Sequence, residues 1–154
     1  MIGIGQSLRG DDAAGLEALR QWQEKFPEMA GRPELRVEAS ELPGFALLEM
    51  LEDVDAAILI DAVRSSAKPG TIHRLSEEEL LSFTSDAKSA HGWGVAETLV
   101  VGRLLDRIED IPIRLIGIET EQTVLGAEMS RAVLSGIPSA CKAIQEEIES
   151  FIAK

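Results

Sequence analysis

Apolar runs and helically spaced apolar residues take turns along this chain. Met1 to Gly5 is a short apolar run that predicts a strand. From Asp12 to Phe26, Leu16, Leu19 and Trp22 or Gln23 succeed one another at three- and four-residue steps, the spacing of one helix face. Leu35 to Ala39 predicts a second strand, and Phe45 to Leu51 a helix opened after Pro43-Gly44. Ala56 to Val63 is almost continuously apolar, which suits a central strand buried on both faces. Gly70 to Leu75 predicts a short strand, Gly92 to Ile108 a long helix and Pro112 to Glu119 another strand. Ser130 to Lys154 predicts a closing helix interrupted near Gly136 and Pro138, because proline lacks the N–H that the next turn needs. Alternation of this kind predicts an α/β fold of three layers, a mostly parallel central sheet with helices on both faces.

Composition narrows the picture. A chain of 154 residues suits one domain, spanning 1–154, that buries a core without disulfides. The longest stretch free of Asp, Glu, Lys and Arg, Ala132 to Cys141, is ten residues, too short to cross a bilayer. Met1 runs directly into Ile2-Gly3-Ile4-Gly5, with neither the basic nor the apolar region of a signal peptide. The single cysteine, Cys141, fits a reducing cytoplasm, and its apolar helical context predicts a packed thiol. A formal charge of −12 argues against a nucleic-acid surface. It is compatible with metal cations, a basic protein partner or simple solubility. Glu77-Glu78-Glu79 and Glu146-Glu147 read as solvated helix faces, and a monomer is expected.

Candidate chemistry starts at the loop Gly3-Ile4-Gly5-Gln6-Ser7-Leu8-Arg9-Gly10-Asp11-Asp12. It lies between a strand and a helix, where phosphates are often held. Leu8 breaks the dinucleotide fingerprint, and Gly10-Asp11-Asp12 stands where a phosphate loop needs Gly-Lys-Ser/Thr. Two carboxylates there repel a phosphate and attract a cation. Asp11 and Asp12 also suit the first turn of a helix, so one can cap while the other faces a ligand. Asp61 ends the apolar run Ala57-Ile58-Leu59-Ile60, a costly place for a carboxylate unless it is paired, hydrogen-bonded or metal-bound. Of the two histidines, His91 precedes a long helix and His73 lies mid-strand. In a parallel sheet the loop after the first strand, the end of the central strand and the start of a helix share one edge. Asp12, Asp61 and His91 can therefore converge as an open metal site of two carboxylates and an imidazole, suited to zinc, nickel or a similar first-row ion. No Gly-x-Ser-x-Gly elbow and no His-Glu-x-x-His is present. Trp22 reads as core; Trp93 suits either core or a groove beside His91.

With these residues in hand, the chain resembles the nickel–iron hydrogenase maturation endopeptidases. The resemblance runs through Gly3-Ile4-Gly5 to Asp11-Asp12-Ala13-Ala14-Gly15, Leu42-Pro43-Gly44-Phe45-Ala46-Leu47-Leu48, Ile58-Leu59-Ile60-Asp61-Ala62-Val63, Lys68-Pro69-Gly70-Thr71-Ile72, Ser89-Ala90-His91, Ile116-Gly117-Ile118-Glu119-Thr120-Glu121 and Gly126-Ala127-Glu128-Met129-Ser130, in order. Departures are Gln6, where the family has asparagine, Glu41-Leu42-Pro43 before Gly44, and Gly92-Trp93 after His91. The resemblance implies a single α/β domain with Asp12, Asp61 and His91 as metal-site and catalytic residues. It implies that Gly44, with Leu42 and Phe45, helps recognise the substrate. It also implies the reaction: removal of a C-terminal extension from the hydrogenase large-subunit precursor after nickel insertion, the nickel being presented by the substrate. Zinc or another divalent cation could occupy the site in isolation. The uncommitted carboxylate of Asp11 or Asp12 could then assist proton transfer. Two other readings stand beside it: a non-catalytic checkpoint that senses nickel in a partner, and a small nucleotide-binding α/β module.

Overall fold

The computed structural model describes residues 1–41, 44–83, 94–108 and 110–153. Its frame is one five-stranded sheet. The strands are β1 (Ile2–Ile4), β2 (Glu38–Ser40), β3 (Ala57–Val63), β4 (Ile72–Ser76) and β5 (Ile113–Glu119), in the order β2-β1-β3-β5-β4. All neighbours are parallel except β4, which runs antiparallel to β5. β4 is an edge strand reached from β3 by a short connection with no crossover helix, and an antiparallel partner is what such a return permits. β3 is the middle strand, and Ala57, Ile58, Leu59, Ile60 and Asp61 are all buried, as expected of a strand covered on both faces.

Alternate side chains of β3 and β5 feed two cores. Ile58, Ile60, Ile116 and Ile118 pack with α1 (Ala14–Lys25) and the C-terminal helix (Arg131–Ile152). Leu59, Ile113 and Leu115 pack on the other face with α3 (Phe45–Met50), α4 (Glu77–Phe83) and α5 (Val95–Leu104). The short α2 (Pro27–Ala30) follows α1, and the C-terminal helix is α6. Trp22 is fully buried and donates its ring N–H to Gln145 Oε1 at 3.1 Å, so the largest core side chain leaves no polar atom stranded. Cys141 is a packed thiol, held near the Ala18 carbonyl at 3.5 Å.

α6 differs from the sequence reading, while α4 bears out the helix face read at Glu77-Glu78-Glu79. α6 is not interrupted: it runs unbroken through Pro138. Proline deprives the Leu134 carbonyl of its helical donor, but Leu134 and Pro138 are both exposed, so water can take that bond. Gly136 has a packing task instead, since a Cβ there would stand 2.5 Å from the Gly70 carbonyl oxygen. The run Glu77-Glu78-Glu79 opens α4 immediately after β4. Ser76 N donates to Glu79 Oε2 at 2.7 Å and Glu79 N to Ser76 Oγ at 3.2 Å, a reciprocal cap that stops the strand and starts the helix. Among the described residues, no helix is long and apolar enough to cross a membrane.

Candidate functional site at the carboxyl edge of the sheet

The chain leaves β1 into a tight loop that closes with one 3-10 turn, Gly10–Ala13, ahead of α1. Glycine is needed here because the loop folds back on itself: a Cβ on Gly5 would lie 2.1 Å from the Asp12 carbonyl oxygen. Gly15 lets α1 settle on the sheet, since a Cβ there would lie 2.3 Å from the Ile60 oxygen and 2.4 Å from the Ile4 oxygen. Asp12 is fully buried in this turn and accepts a hydrogen bond from Gln6 N at 3.1 Å through Oδ2. Neither Asp11 nor Asp12 caps α1, whose N-cap position is Ala13, without a side-chain bond.

Asp11 is a tether. Its carboxylate accepts from Glu121 N at 2.8 Å, Gln122 N at 3.1 Å, Ser130 N at 2.6 Å and Ser130 Oγ at 2.9 Å. Four donors use the acceptor capacity of one carboxylate. The expectation that Asp11 could be the uncommitted carboxylate for proton transfer is therefore corrected. Its task is to hold the segment after β5 and the start of α6 against the loop that carries Asp12.

Asp61 lies on β3, which is adjacent to β1, so it reaches the same edge as the Asp12 turn. The last β3 residue paired with β1 is Ile60, opposite Gly3. Just beyond that point the Asp61 carboxylate accepts from Ala62 N at 2.8 Å. Only 8% of Asp61 is exposed. The third expected ligand, His91, lies outside the described residues, as do Leu42 and Trp93. Among the described residues no cluster of three metal-type side chains occurs.

A fourth buried carboxylate at this edge was not singled out from sequence as a candidate. Glu119 ends β5 opposite Val63 and is 1% exposed. It accepts from Ser65 N at 2.5 Å and Ser65 Oγ at 2.8 Å, and it pairs with His73 Nε2 at 2.9 Å. His73, mid-strand as expected, thus belongs to a bond that ties β4 and the turn after β3 to the end of β5, with its ring against Phe83 at 5.0 Å. The signal was present: Glu119 follows Ile116-Gly117-Ile118 just as Asp61 follows its own apolar run.

Gly44 takes a φ of +87° and precedes α3, where Phe45 is 63% exposed. Gly44, Phe45, Leu48, Thr98 and Val101 line a shallow apolar depression. The approach to it is tied to the β1 loop, for Ser7 N donates to Glu41 Oε1 at 2.7 Å. Hydrogen bonds from Ser7 hold the Glu41 carboxyl below its ordinary pKa.

This is an α/β domain with buried carboxylates presented at the carboxyl ends of parallel strands, the edge where such sheets place their chemistry. Residues 42–147 match the HycI hydrogenase maturation protease family. The chain therefore belongs to the hydrogenase maturation proteases. It is 27% identical to the hydrogenase expression/formation protein HupD of Bradyrhizobium diazoefficiens over 70% of this chain and 55% of that protein. The chain thus spans about half the length of that curated relative. It is 24% identical to FrxA of Pyrococcus furiosus over 88% of this chain and 93% of that one. Among solved structures, the nickel–iron hydrogenase maturation protease HybD of Thermococcus kodakarensis superposes with a TM-score of 0.72 at 28% identity, covering 94% of this chain and 95% of the other. The HybD endopeptidase of E. coli shares the fold, with a TM-score of 0.75 at 22% identity over 97% and 90% of the two chains.

Proposed function

We propose that the protein is an endopeptidase that removes a C-terminal extension from the nickel-loaded precursor of a nickel–iron hydrogenase large subunit. The observation that carries this reading is the placement of Asp12 and Asp61, two buried carboxylates on neighbouring elements of one sheet edge, in a chain of the maturation protease family. Nickel enters as part of the substrate. Two carboxylates and the imidazole of His91 form a donor set that suits a first-row divalent cation, so the same three residues would hold zinc or a similar ion in isolation. Such a cation polarises a carbonyl and acidifies water.

The chain's own residues supply orientation. Gln6 N fixes Asp12, and Ala62 N fixes Asp61. Asp11 holds the neighbouring loops in register. Gly44, Leu42 and Phe45 are assigned to precursor recognition. The exposed Phe45 ring and the apolar depression beside it support that assignment.

Co-producing the protein with the nickel-loaded precursor from the same genome, and weighing the intact precursor, tests the reading. Wild type should release a C-terminal fragment, and Asp12→Asn should not. An unchanged precursor mass with wild type, the nickel shown to be in place, would overturn the protease reading in favour of a non-catalytic nickel checkpoint.

A further inference from the structure

Among the described residues the cationic side chains fall into two groups. Every arginine away from the carboxyl edge of the sheet pairs with a glutamate within 4.0 Å. Lys142 pairs with Glu146, and Lys25 lies over the Phe26 ring. Arg9, Arg64, Lys68 and Arg131 pair with no carboxylate. Arg64, Lys68 and Arg131 are exposed and Arg9 is half-buried. Carboxylates are plentiful in a chain with 27 acidic and 15 basic residues, so four cations left without one at a single edge stand out.

The four come from three segments, and the fold gathers them. Arg9 is two residues before Asp11, whose carboxylate takes Ser130 N at 2.6 Å, and Arg131 directly follows Ser130. The next residue, Ala132, packs on Gly70, where a Cβ would stand 2.3 Å from the Ala132 carbonyl oxygen. Lys68 is two residues before Gly70, in the turn between β3 and β4. Gly70 N donates to the Glu119 carbonyl at 2.8 Å, and Ser65 N donates to the Glu119 carboxylate, which brings in Arg64. Asp11 and Glu119 thus fix the backbone of an arc whose cations stay free. Arg131 is also out of place for helix stability. α1, α2, α4 and α5 each carry glutamate in the first turn, whereas α6 carries none and opens on Arg131, where a cation opposes the helix dipole.

The arc includes the start of α6, on one side of the edge. Asp61 alternates with Ile58 and Ile60, which pack on α1 and α6, so it faces the other side. The arc is therefore placed for docking and not for the chemistry. A protein interface buries about 800 Å² on each partner, wide enough to cover both. Exposed Glu121 and Glu128 border the arc without pairing to it, and the whole chain carries −12, an arrangement that repels a polyanion such as a nucleic acid. Discrete carboxylates suit it, because a guanidinium holds a carboxylate through two parallel N–H bonds. We propose that Arg9, Arg64, Lys68 and Arg131 dock an acidic segment of the precursor through its aspartate and glutamate side chains. This rests on the proteolytic reading above for the identity of the partner.

The nickel-loaded precursor is titrated into the full chain, and complex formation and cleavage are followed separately. Arg64→Ala/Lys68→Ala should bind about tenfold more weakly, about threefold for each exposed charge pair, with the loss appearing in KM and the melting temperature at the wild-type value. Arg131→Ala should bind about threefold more weakly yet melt at or above wild type, since it relieves the dipole. Arg32→Ala, which removes a cation paired with Glu34, should bind as wild type does. Wild-type affinity should fall between about 0.1 M and about 1 M salt, as the screening length shrinks from about 10 Å to about 3 Å, and that of the double variant should fall less. Wild-type affinity and salt dependence in the double variant would overturn the proposal. An equal loss in Arg32→Ala would overturn it in favour of overall charge. A lowered melting temperature in the double variant, with affinity falling only in step with the folded fraction, would overturn it in favour of a structural role. A labelled single-stranded oligonucleotide bound by wild type and not by the double variant would overturn it in favour of nucleic-acid docking. Wild type that binds without cutting overturns the protease reading alone, and the docking is still read from affinity. Wild type that neither binds nor cuts overturns both.

Discussion

Replacing Asp11 by asparagine keeps the shape of the side chain and removes one acceptor oxygen. In the folded protein Oδ1 takes Ser130 N, while Oδ2 takes Glu121 N, Gln122 N and Ser130 Oγ. Asparagine can turn its oxygen toward the larger group, which keeps three donors satisfied and sets its NH2 against Ser130 N. Hydrogen bonds to a charged acceptor contribute about 1.5–3 kcal/mol each, and losing the charge weakens the remaining three as well. The expected loss is about 2–3 kcal/mol, because one donor is orphaned and three bonds become neutral. In a domain of this length that corresponds to a fall of about 5–10 °C in melting temperature. Asp11→Ala strands all four donors and should cost about 4–5 kcal/mol, near the upper range of single substitutions. Urea unfolding with an unchanged m-value, together with thermal melting, measures both variants. An Asp11→Asn protein within about 0.5 kcal/mol of wild type, the noise of a neutral surface change, would refute the tether.

Two further outcomes follow from particular contacts. Gly15→Ala should destabilise the fold by about 3 kcal/mol, because its Cβ would press on the Ile60 and Ile4 carbonyl oxygens and lift α1 from the sheet; a melting temperature equal to wild type would show that the helix can shift without strain. Burial raises the Cys141 thiol above its ordinary pKa. Below the ordinary value native and unfolded chains both keep the proton; as pH rises past it the unfolded chain ionises first, so stability falls through the window up to the raised value. Cys141→Ala should lack that fall, and unfolding midpoints of both proteins measured from neutral pH to about pH 10 would expose a mistake if the two curves stayed parallel.

Four buried carboxylates of this chain, Asp11, Asp12, Asp61 and Glu119, lie along one sheet edge. In this chain the loops at that edge are sewn together by buried carboxylates. Asp11 joins the β1 loop to the segment before α6, and Glu119 joins the turn after β3 to β4. Buried carboxylates in such positions make the geometry specific, because each strands several backbone donors if it moves. The candidate ligands Asp12 and Asp61 sit within that frame, each with a backbone N–H on its carboxylate. The exposed apolar surface at Phe45 lies where a partner can reach it.

Local pattern was enough for the α/β class, for β3 as the buried central strand, for Trp22 and Cys141 as core, and for Asp61 as a carboxylate out of place unless employed. Each of those rests on near neighbours along the chain: an unbroken apolar run, a helical spacing, a charge ending a strand. The reciprocal cap Ser76–Glu79 was equally local and could have marked the start of α4. The unbroken course of α6 through Pro138 could not be read locally, because it depends on Leu134 facing solvent and on Gly136 seating against Gly70. Likewise, nothing within ten residues of Asp11 distinguishes it from Asp12. Its four donors come from positions 121, 122 and 130, and the partners of Glu119 come from positions 65 and 73. Sequence by itself determined the fold class and the carboxylate that ends the central apolar run, because burial and periodicity act over short separations. Only the tertiary structure decided that Asp11 is a tether, because hydrogen bonds to backbone groups more than a hundred residues away are made by the fold.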